Sequence, residues 1–330
     1  METEDGRWAG RTCLVLGGGG FMGSWLVDAL VRRGAEVRAY GRISQFAPRR
    51  EDVTWLVNDF ADRVALARAI EGAEVVFHLL GAGTPESSNA DPYANLLAGP
   101  GATLQLLNLC RSEGVRRFVF ASSGGTVYGI PQSTPIPESA PTHPISAYGV
   151  AKLTIEKYLH LLGHLHGFDY AVMRISNPFG PRQSPFRRQG LIAAILYKLL
   201  RGAPVEIWGD GSVVRDFLYV GDLVEAFVRV AEYGGPVRVF NIGSGQGLSV
   251  NEVVHGAAAA IGCADPRIVY KPGRQVDAPA NVLDVSLAAR ELGWRVETPW
   301  AEGVRTTADW MRGLTGRASP KRGREGDLAK

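Results

Sequence analysis

Tyr148 and Lys152 lie four residues apart in Ser146-Ala147-Tyr148-Gly149-Val150-Ala151-Lys152, a spacing that can do chemistry. On a helix the two share a face, which sets the lysine ammonium close beneath the phenol. A positive charge there favours phenolate and lowers the tyrosine pKa from about 10 toward working pH, giving a usable acid and base. A surface Tyr and Lys on an amphipathic helix have the same spacing. The reading turns on a glycine-rich turn more than a hundred residues upstream, at Gly17 to Gly23.

That turn follows an apolar strand, residues 11–16, and opens a helix over 21–33, with a second strand at 36–40. Gly17, Gly20 and Gly23 have the spacing G-x-x-G-x-x-G, which turns the chain tightly, brings bare backbone against a pyrophosphate and packs the helix on the sheet. Phe21 and Met22, at the helix start, belong to the same expected dinucleotide site, as does Leu79 near the end of a later strand. The second strand ends in Gly41-Arg42, where a carboxylate would select NAD by binding both ribose hydroxyls. Glycine and arginine leave room and charge for a 2′-phosphate, so the sequence leans to NADP, although Arg42 also suits stacking on adenine or plain solvation. Asp59 can accept from the adenine amino group with Phe60 flanking the ring; Asp59 equally suits the N-cap of the next helix.

The elements positioning these residues alternate. Strands at 53–57, 74–80, 117–122 and 170–174 are interleaved with helical periods, one carrying Leu104, Leu107 and Leu109 and another running from Tyr148 to Leu162 with Leu153, Ile155 and Leu159. Gly99-Pro100-Gly101 delays or kinks the former. Such alternation means an α/β, Rossmann-type, doubly wound parallel sheet. Residues 1–176 form the dinucleotide-binding domain. Residues 177–311, proline- and glycine-punctuated, read as a smaller C-terminal α/β substrate lobe with segments returning to the sheet, and 312–330 as a disordered tail.

At 330 residues the chain can bury a large core. Its net charge of +3 arises in the tail, which has a surplus of four positive charges and leaves the remainder near −1. The tail therefore reads as a solvated end, not a nucleic-acid arm. Cys13, Cys110 and Cys263 are far apart, a reducing-compartment pattern. The acidic N-terminus lacks an apolar leader and no stretch is long enough to span a bilayer, so the expectation is cytoplasmic and not membrane-bound. His160, His164 and His166 lack a carboxylate partner and precede Gly167, where a helix C-terminus favours histidine, so no metal is expected.

From about Thr12 to Trp310 the chain resembles the extended short-chain dehydrogenases/reductases of the NAD-dependent epimerase/dehydratase type, the group that includes UDP-galactose 4-epimerase. The motifs that carry this are Gly17 to Gly23, Ser122-Ser123-Gly124-Gly125-Thr126-Val127-Tyr128-Gly129, Tyr148 to Lys152, Arg174 to Arg182, Gly209-Asp210-Gly211 with Arg215-Asp216-Phe217, and Asn241-Ile242-Gly243-Ser244-Gly245. The resemblance implies a nucleotide-diphosphate sugar, a UDP-sugar foremost, held by Asn177, Arg215 and Arg274. Arg215 alternatively pairs with Asp210 or Asp216, and Arg182, Arg187 and Arg188 crowd the entrance. It further implies transient oxidation at C4, with Tyr148 taking the hydroxyl proton, Lys152 holding the ribose, and hydride return to the opposite face. It also implies a homodimer paired through helices near 101–110 and 147–162, unless their leucines serve the chain's own core.

The chain departs from that pattern at Gly124, where related epimerases carry Ser or Thr. The hydroxyl must then come from Ser123, the first choice, or Thr126. Gly124-Gly125-Thr126 also lacks the acid and base of the 4,6-dehydratases. Gly99 and the Gly81-Ala82-Gly83 loop replace an Asn and a Lys of some epimerases. An NAD(P)H-dependent 4-ketoreductase is the alternative activity, and a non-catalytic dinucleotide sensor is disfavoured by the Tyr148–Lys152 pair.

Overall fold

In the computed structural model, residues 4–81, 83–186, 189–273 and 278–315 are described. The strands are β1 (Thr12–Leu16), β2 (Glu36–Tyr40), β3 (Thr54–Leu56), β4 (Val75–His78), β5 (Arg117–Ser123), β6 (Tyr170–Ile175), β7 (Asn177–Phe179), β8 (Val205–Trp208), β9 (Val214–Tyr219), β10 (Val239–Ile242), β11 (Gly247–Ser249), β12 (Ile268–Lys271) and β13 (Ala280–Asn281). The helices are α1 (Phe21–Arg32), α2 (Arg63–Ile70), α3 (Pro85–Ala90), α4 (Pro92–Leu96), α5 (Ala102–Ser112), α6 (Ala147–His166), α7 (Leu191–Leu200), α8 (Val220–Glu232), α9 (Val250–Ile261), α10 (Ser286–Leu292) and α11 (Trp300–Thr315).

Seven strands form one parallel sheet in the order β3-β2-β1-β4-β5-β6-β10. Val, Phe and Leu runs in β1, β4, β5 and β6 are buried on both faces, as a sheet covered by helices on either side requires. One core layer packs α1 and α8 on the sheet and the other packs α2, α5 and α6. The strand order reverses at β1, with β2 on one side and β4 on the other, so a crevice opens beyond their carboxyl ends.

The expected strands are present with ends displaced by no more than two residues, and a π-helical turn over Leu97–Gly101 occupies the expected kink. The second lobe has its own core, built on α7, α9 and α11. Its small sheet joins β11, β9 and β13, with β7 alongside β9. Between these segments α8 and β10 return to the main sheet. The last helix reaches Thr315, beyond the boundary at 311 expected from composition: Val304, Ala308 and Met311 bury one face of it and carry its final turn. No described helix is long and apolar enough to cross a membrane.

Candidate functional site

The glycine turn lies at the switch point. Gly17 adopts φ +88, a conformation closed to ordinary side chains, and donates its N–H to the Tyr40 carbonyl at 2.8 Å. A methyl group on Gly23 would strike the Gly17 carbonyl, and one on Gly19 would lie 2.5 Å from the Arg42 carbonyl oxygen. The turn is thus a cradle of bare backbone. It leads into α1, whose N-cap is Gly20 and whose first N–H groups, at Phe21 and Met22, take no side-chain cap. Such an N-terminus suits a pyrophosphate. Leu79 donates its N–H to Leu16 and borders Gly17 from the other side of the crevice.

Arg42 is exposed on the loop that covers Gly19. Phe60 is half-buried with its ring 5.4 Å from that of His78. Asp59 is exposed, accepts the N–H of Ala61 on its side chain, and accepts the Tyr40 hydroxyl on its carbonyl. The cap of α2 is Asp62, three residues on, which accepts from Val64 and Ala65.

Ser146 caps α6 by accepting from Gly149, which starts the helix just before Tyr148. Gly149 is itself a close approach: a methyl group there would meet the Thr126 carbonyl oxygen at 2.8 Å, so the bare position seats α6 against the hydroxyl-bearing segment. Lys152 lies with Nζ 5.7 Å from the centre of the Tyr148 ring and donates to the Ala121 carbonyl at 2.7 Å. Gly81 lies directly against the pair: a Cβ there would stand 3.8 Å from Tyr148 Cε2 and 3.9 Å from Lys152 Nζ.

The electrostatics differ from the expected ones. Burial pushes the Tyr148 phenol up to about 12 and the Lys152 ammonium down to about 8, the latter opposed by the Glu156 carboxylate. The lowering inferred from the i, i+4 spacing is outweighed by desolvation of the phenol. Ser123 ends β5 half-buried, whereas Thr126 Oγ1 is buried and lacks a hydrogen-bond partner among the described residues. Gly124 is explained by Leu283: a Cβ at 124 would stand 2.6 Å from Leu283 Cδ1 and 3.0 Å from the Arg174 carbonyl oxygen.

On the other bank, the β7·β9 pairing brings Asn177 and Arg215 onto adjacent strands. Asn177 donates to the Asp216 carbonyl, and Arg215 donates to the carbonyls of Val214 and Ala278. Asp216 is fully buried and accepts from Ser244, Gly245 and Leu283, while Asp210 accepts from Ser212. Arg182 does not face this bank. It adopts φ +72, donates to Asp28 and the Ser24 carbonyl of α1, and stacks over Trp25, joining the second lobe to the glycine-turn helix. Arg274, Arg187 and Arg188 lie outside the described residues. His160, His164 and His166 are exposed on the final turns of α6.

The burial of two carboxylates, Glu156 and Asp216, is not foreseen by the sequence, where Asp216 stands only within its motif and as a possible partner of Arg215. Glu156 continues the Tyr148, Lys152 spacing by four more residues, which was an available signal.

The chain matches the family model for the NAD dependent epimerase/dehydratase family over residues 13–243. It is 34% identical to a UDP-glucose 4-epimerase of Mycolicibacterium smegmatis over 307 residues, covering 91% of this chain and 98% of that protein. Among solved structures it is similar to a UDP-glucose 4-epimerase of Thermotoga maritima with UDP-glucose, at 34% identity and a TM-score of 0.87, covering 92% of this chain and 99% of that one. It is also similar to the Thermus thermophilus UDP-glucose 4-epimerase in complex with NAD, at 33% identity and a TM-score of 0.82, again covering 92% and 99%. The cradle, the Tyr148–Lys152 face and these matches agree: the chain belongs to the NAD-dependent epimerase/dehydratase family.

Proposed function

We propose that this protein is an NAD-dependent UDP-hexose 4-epimerase, with Tyr148 as its proton-transfer residue. The observation that carries the reading is that one short segment joins the two parts of the site: Gly81 lies against Tyr148 and Lys152, and Leu79 and Leu80 just before it border the Gly17 cradle. Gly17, Gly20 and Gly23, the N–H groups of Phe21 and Met22, and Leu79 would hold the dinucleotide, with Arg42, Asp59 and Phe60 at its adenosine end. A bound nicotinamide would supply the hydride acceptor for C4 and the source of its return. Tyr148 takes the proton of the 4-hydroxyl as the hydride leaves and returns one when the 4-keto sugar is reduced from its other face. Lys152, fixed by Ala121, presents its remaining donors to the ribose and to the phenol. Ser123 and Thr126 are the hydroxyls available to orient the sugar. The uncompensated burial of Thr126 Oγ1 favours that residue, since such a group gains most from a ligand partner. Asn177, Arg215 and Arg274 are assigned to the diphosphate.

The reading over a 4-ketoreductase rests on the named relatives and on Arg42, which is exposed and marks no phosphate pocket by itself. Tyr148→Phe is expected to keep the fold and lose turnover of UDP-galactose by ~10²–10⁴-fold; full turnover in that variant removes the assignment. Net consumption of reduced cofactor on a keto sugar, with no isomer interconversion, would establish the reductase instead.

We assign the protein as a homodimer. Of the residues on the two expected interface helices, Leu107, Ile155 and Leu159 are buried in the chain's own core, and Leu104, Leu109 and Leu153 are half-buried. Tyr93, Leu96 and Leu97 at α4 and Val150, Leu161 and Leu165 on α6 are instead exposed, a face that a second copy would cover. Sedimentation equilibrium tests this, with a monomer at micromolar concentration as the contrary result.

A further inference from the structure

Tyr148, Lys152 and Glu156 follow one another at four-residue intervals on α6 and share one buried face. Glu156 is 5% exposed, and its carboxylate meets three donors. Ser122 Oγ donates to one oxygen, and Arg174 reaches the group through Nε and Nη2, the latter at 2.7 Å. Arg174 Nη1 in turn donates to the Tyr128 hydroxyl at 3.0 Å, and its guanidinium stacks over that ring. The Tyr128 hydroxyl donates to Asn241 Oδ1 at 2.7 Å. Ser122 and Tyr128 bracket the segment that carries Ser123 and Thr126. One carboxylate therefore holds both flanks of that segment, directly through Ser122 and through Arg174 at Tyr128.

We propose that Glu156 is a positioning residue for the reaction, fixing segment 123–126 against Tyr148 and keeping Lys152 charged. The inference rests on the epimerase reading above and deepens it. A buried carboxylate with a matched arginine costs desolvation that a well-packed apolar pair avoids, so stability alone does not account for its place beside Tyr148 and Lys152. Among the described residues the groups facing Lys152 are few. Tyr148 and Glu156 flank it on α6, His78 approaches from β4, and β5 contributes the Ala121 carbonyl and the Phe120 ring. Arg174, from β6, stands behind Glu156. Burial suppresses the charge of both Lys152 and His78, and Glu156 is the carboxylate that opposes this at Lys152. Removing its charge also leaves Arg174 unopposed, which acts on Lys152 in the same direction.

The test is the pH profile of epimerisation by the NAD-loaded full chain. In Glu156→Gln the alkaline limb of kcat is expected to move to lower pH by on the order of one unit, with kcat reduced and KM little changed. Glu156→Asp, which keeps the charge and loses reach, should lower kcat and leave the limb in place. Asp169→Asn breaks a second arginine–carboxylate pair, in which buried Arg117 at the far end of β5 meets a partly exposed carboxylate, and controls for lost stability; its limb should stay unmoved. A folded Glu156→Gln enzyme with the wild-type limb overturns the proposal. Should that variant not fold, Ser122→Ala decides: a fall in kcat at constant KM is expected, and an unchanged kcat overturns it. Tyr148→Phe in the same assay separates the two claims. Full wild-type turnover in that variant removes Tyr148 from the epimerase reading, whereas a Tyr148→Phe enzyme slowed by ~10²-fold or more beside an unmoved Glu156→Gln limb refutes this inference alone.

Discussion

Placing a hydroxyl at position 124 is expected to damage this protein. The Cβ of Gly124→Ser would sit 2.6 Å from Leu283 Cδ1 and 3.0 Å from both Leu283 Cδ2 and the Arg174 carbonyl oxygen. The first contact is about 1 Å inside normal carbon separation. Leu283 has little room to retreat: it is fully buried, its N–H donates to Asp216, and its chain neighbours Val282 and Asp284 exchange backbone hydrogen bonds with Ile136. Overpacking of this kind costs about 1–3 kcal/mol. Leu283→Ala alone should cost about 2–5 kcal/mol through lost burial and a cavity. In the double variant the serine enters space that Leu283 vacated, so the two costs should fall short of additivity by about 1–2 kcal/mol, within the range for residues in contact. Urea unfolding of all four proteins, followed by fluorescence and extrapolated linearly, closes the cycle. A Gly124→Ser protein as stable as the wild type, or costs that simply add, would refute the steric account of Gly124.

Acid should destabilise the fold through His78. Burial holds its imidazole neutral down to about 3, whereas the unfolded side chain takes up a proton near 6.5. The unfolded state thus binds the extra proton between these values, and stability is lost as pH falls through that window by up to ~1.4 kcal/mol per unit. The stability difference between wild type and His78→Phe should change across pH 6.5 to 3, and a difference independent of pH contradicts this. Gly23→Ala drives a methyl group into the Gly17 carbonyl and toward Gly18 Cα at 2.8 Å, so calorimetry should show NAD binding weakened by at least about 10-fold, or 1.4 kcal/mol; unchanged affinity would place the cradle elsewhere. Arg215→Met should raise KM for the UDP-sugar by about 10–100-fold, the loss of a charged hydrogen bond of ~1.5–3 kcal/mol, with kcat less affected. A change confined to kcat would remove Arg215 from the diphosphate.

The sheet was legible because its strands are short apolar runs between glycine and helical punctuation, and the glycine turn because close backbone approach leaves no substitute for glycine. Short-range chemistry was misplaced where two residues compete for one role: Asp62, not Asp59, caps α2. What escaped depends on partners remote in sequence. Arg182 reads as an entrance cation, yet its carboxylate is Asp28 on α1. Gly124 reads as a lost hydroxyl until Leu283 is found in its place. The Tyr148–Lys152 spacing reveals a shared face but not the burial that governs both groups. The sequence places Glu156 one turn beyond Lys152 and Asp216 beside Arg215, but only the packed fold shows how many donors each collects.

The central claim is reversible oxidation at C4 by the Tyr148 site, and its most direct test is the fate of a C4 deuterium. The NAD-loaded protein would be incubated with UDP-galactose deuterated at C4 and the products resolved by NMR and mass spectrometry. The account predicts UDP-glucose that retains deuterium at C4, with no net absorbance change at 340 nm. Loss of the label to solvent, or recovery of unchanged UDP-galactose, would contradict it.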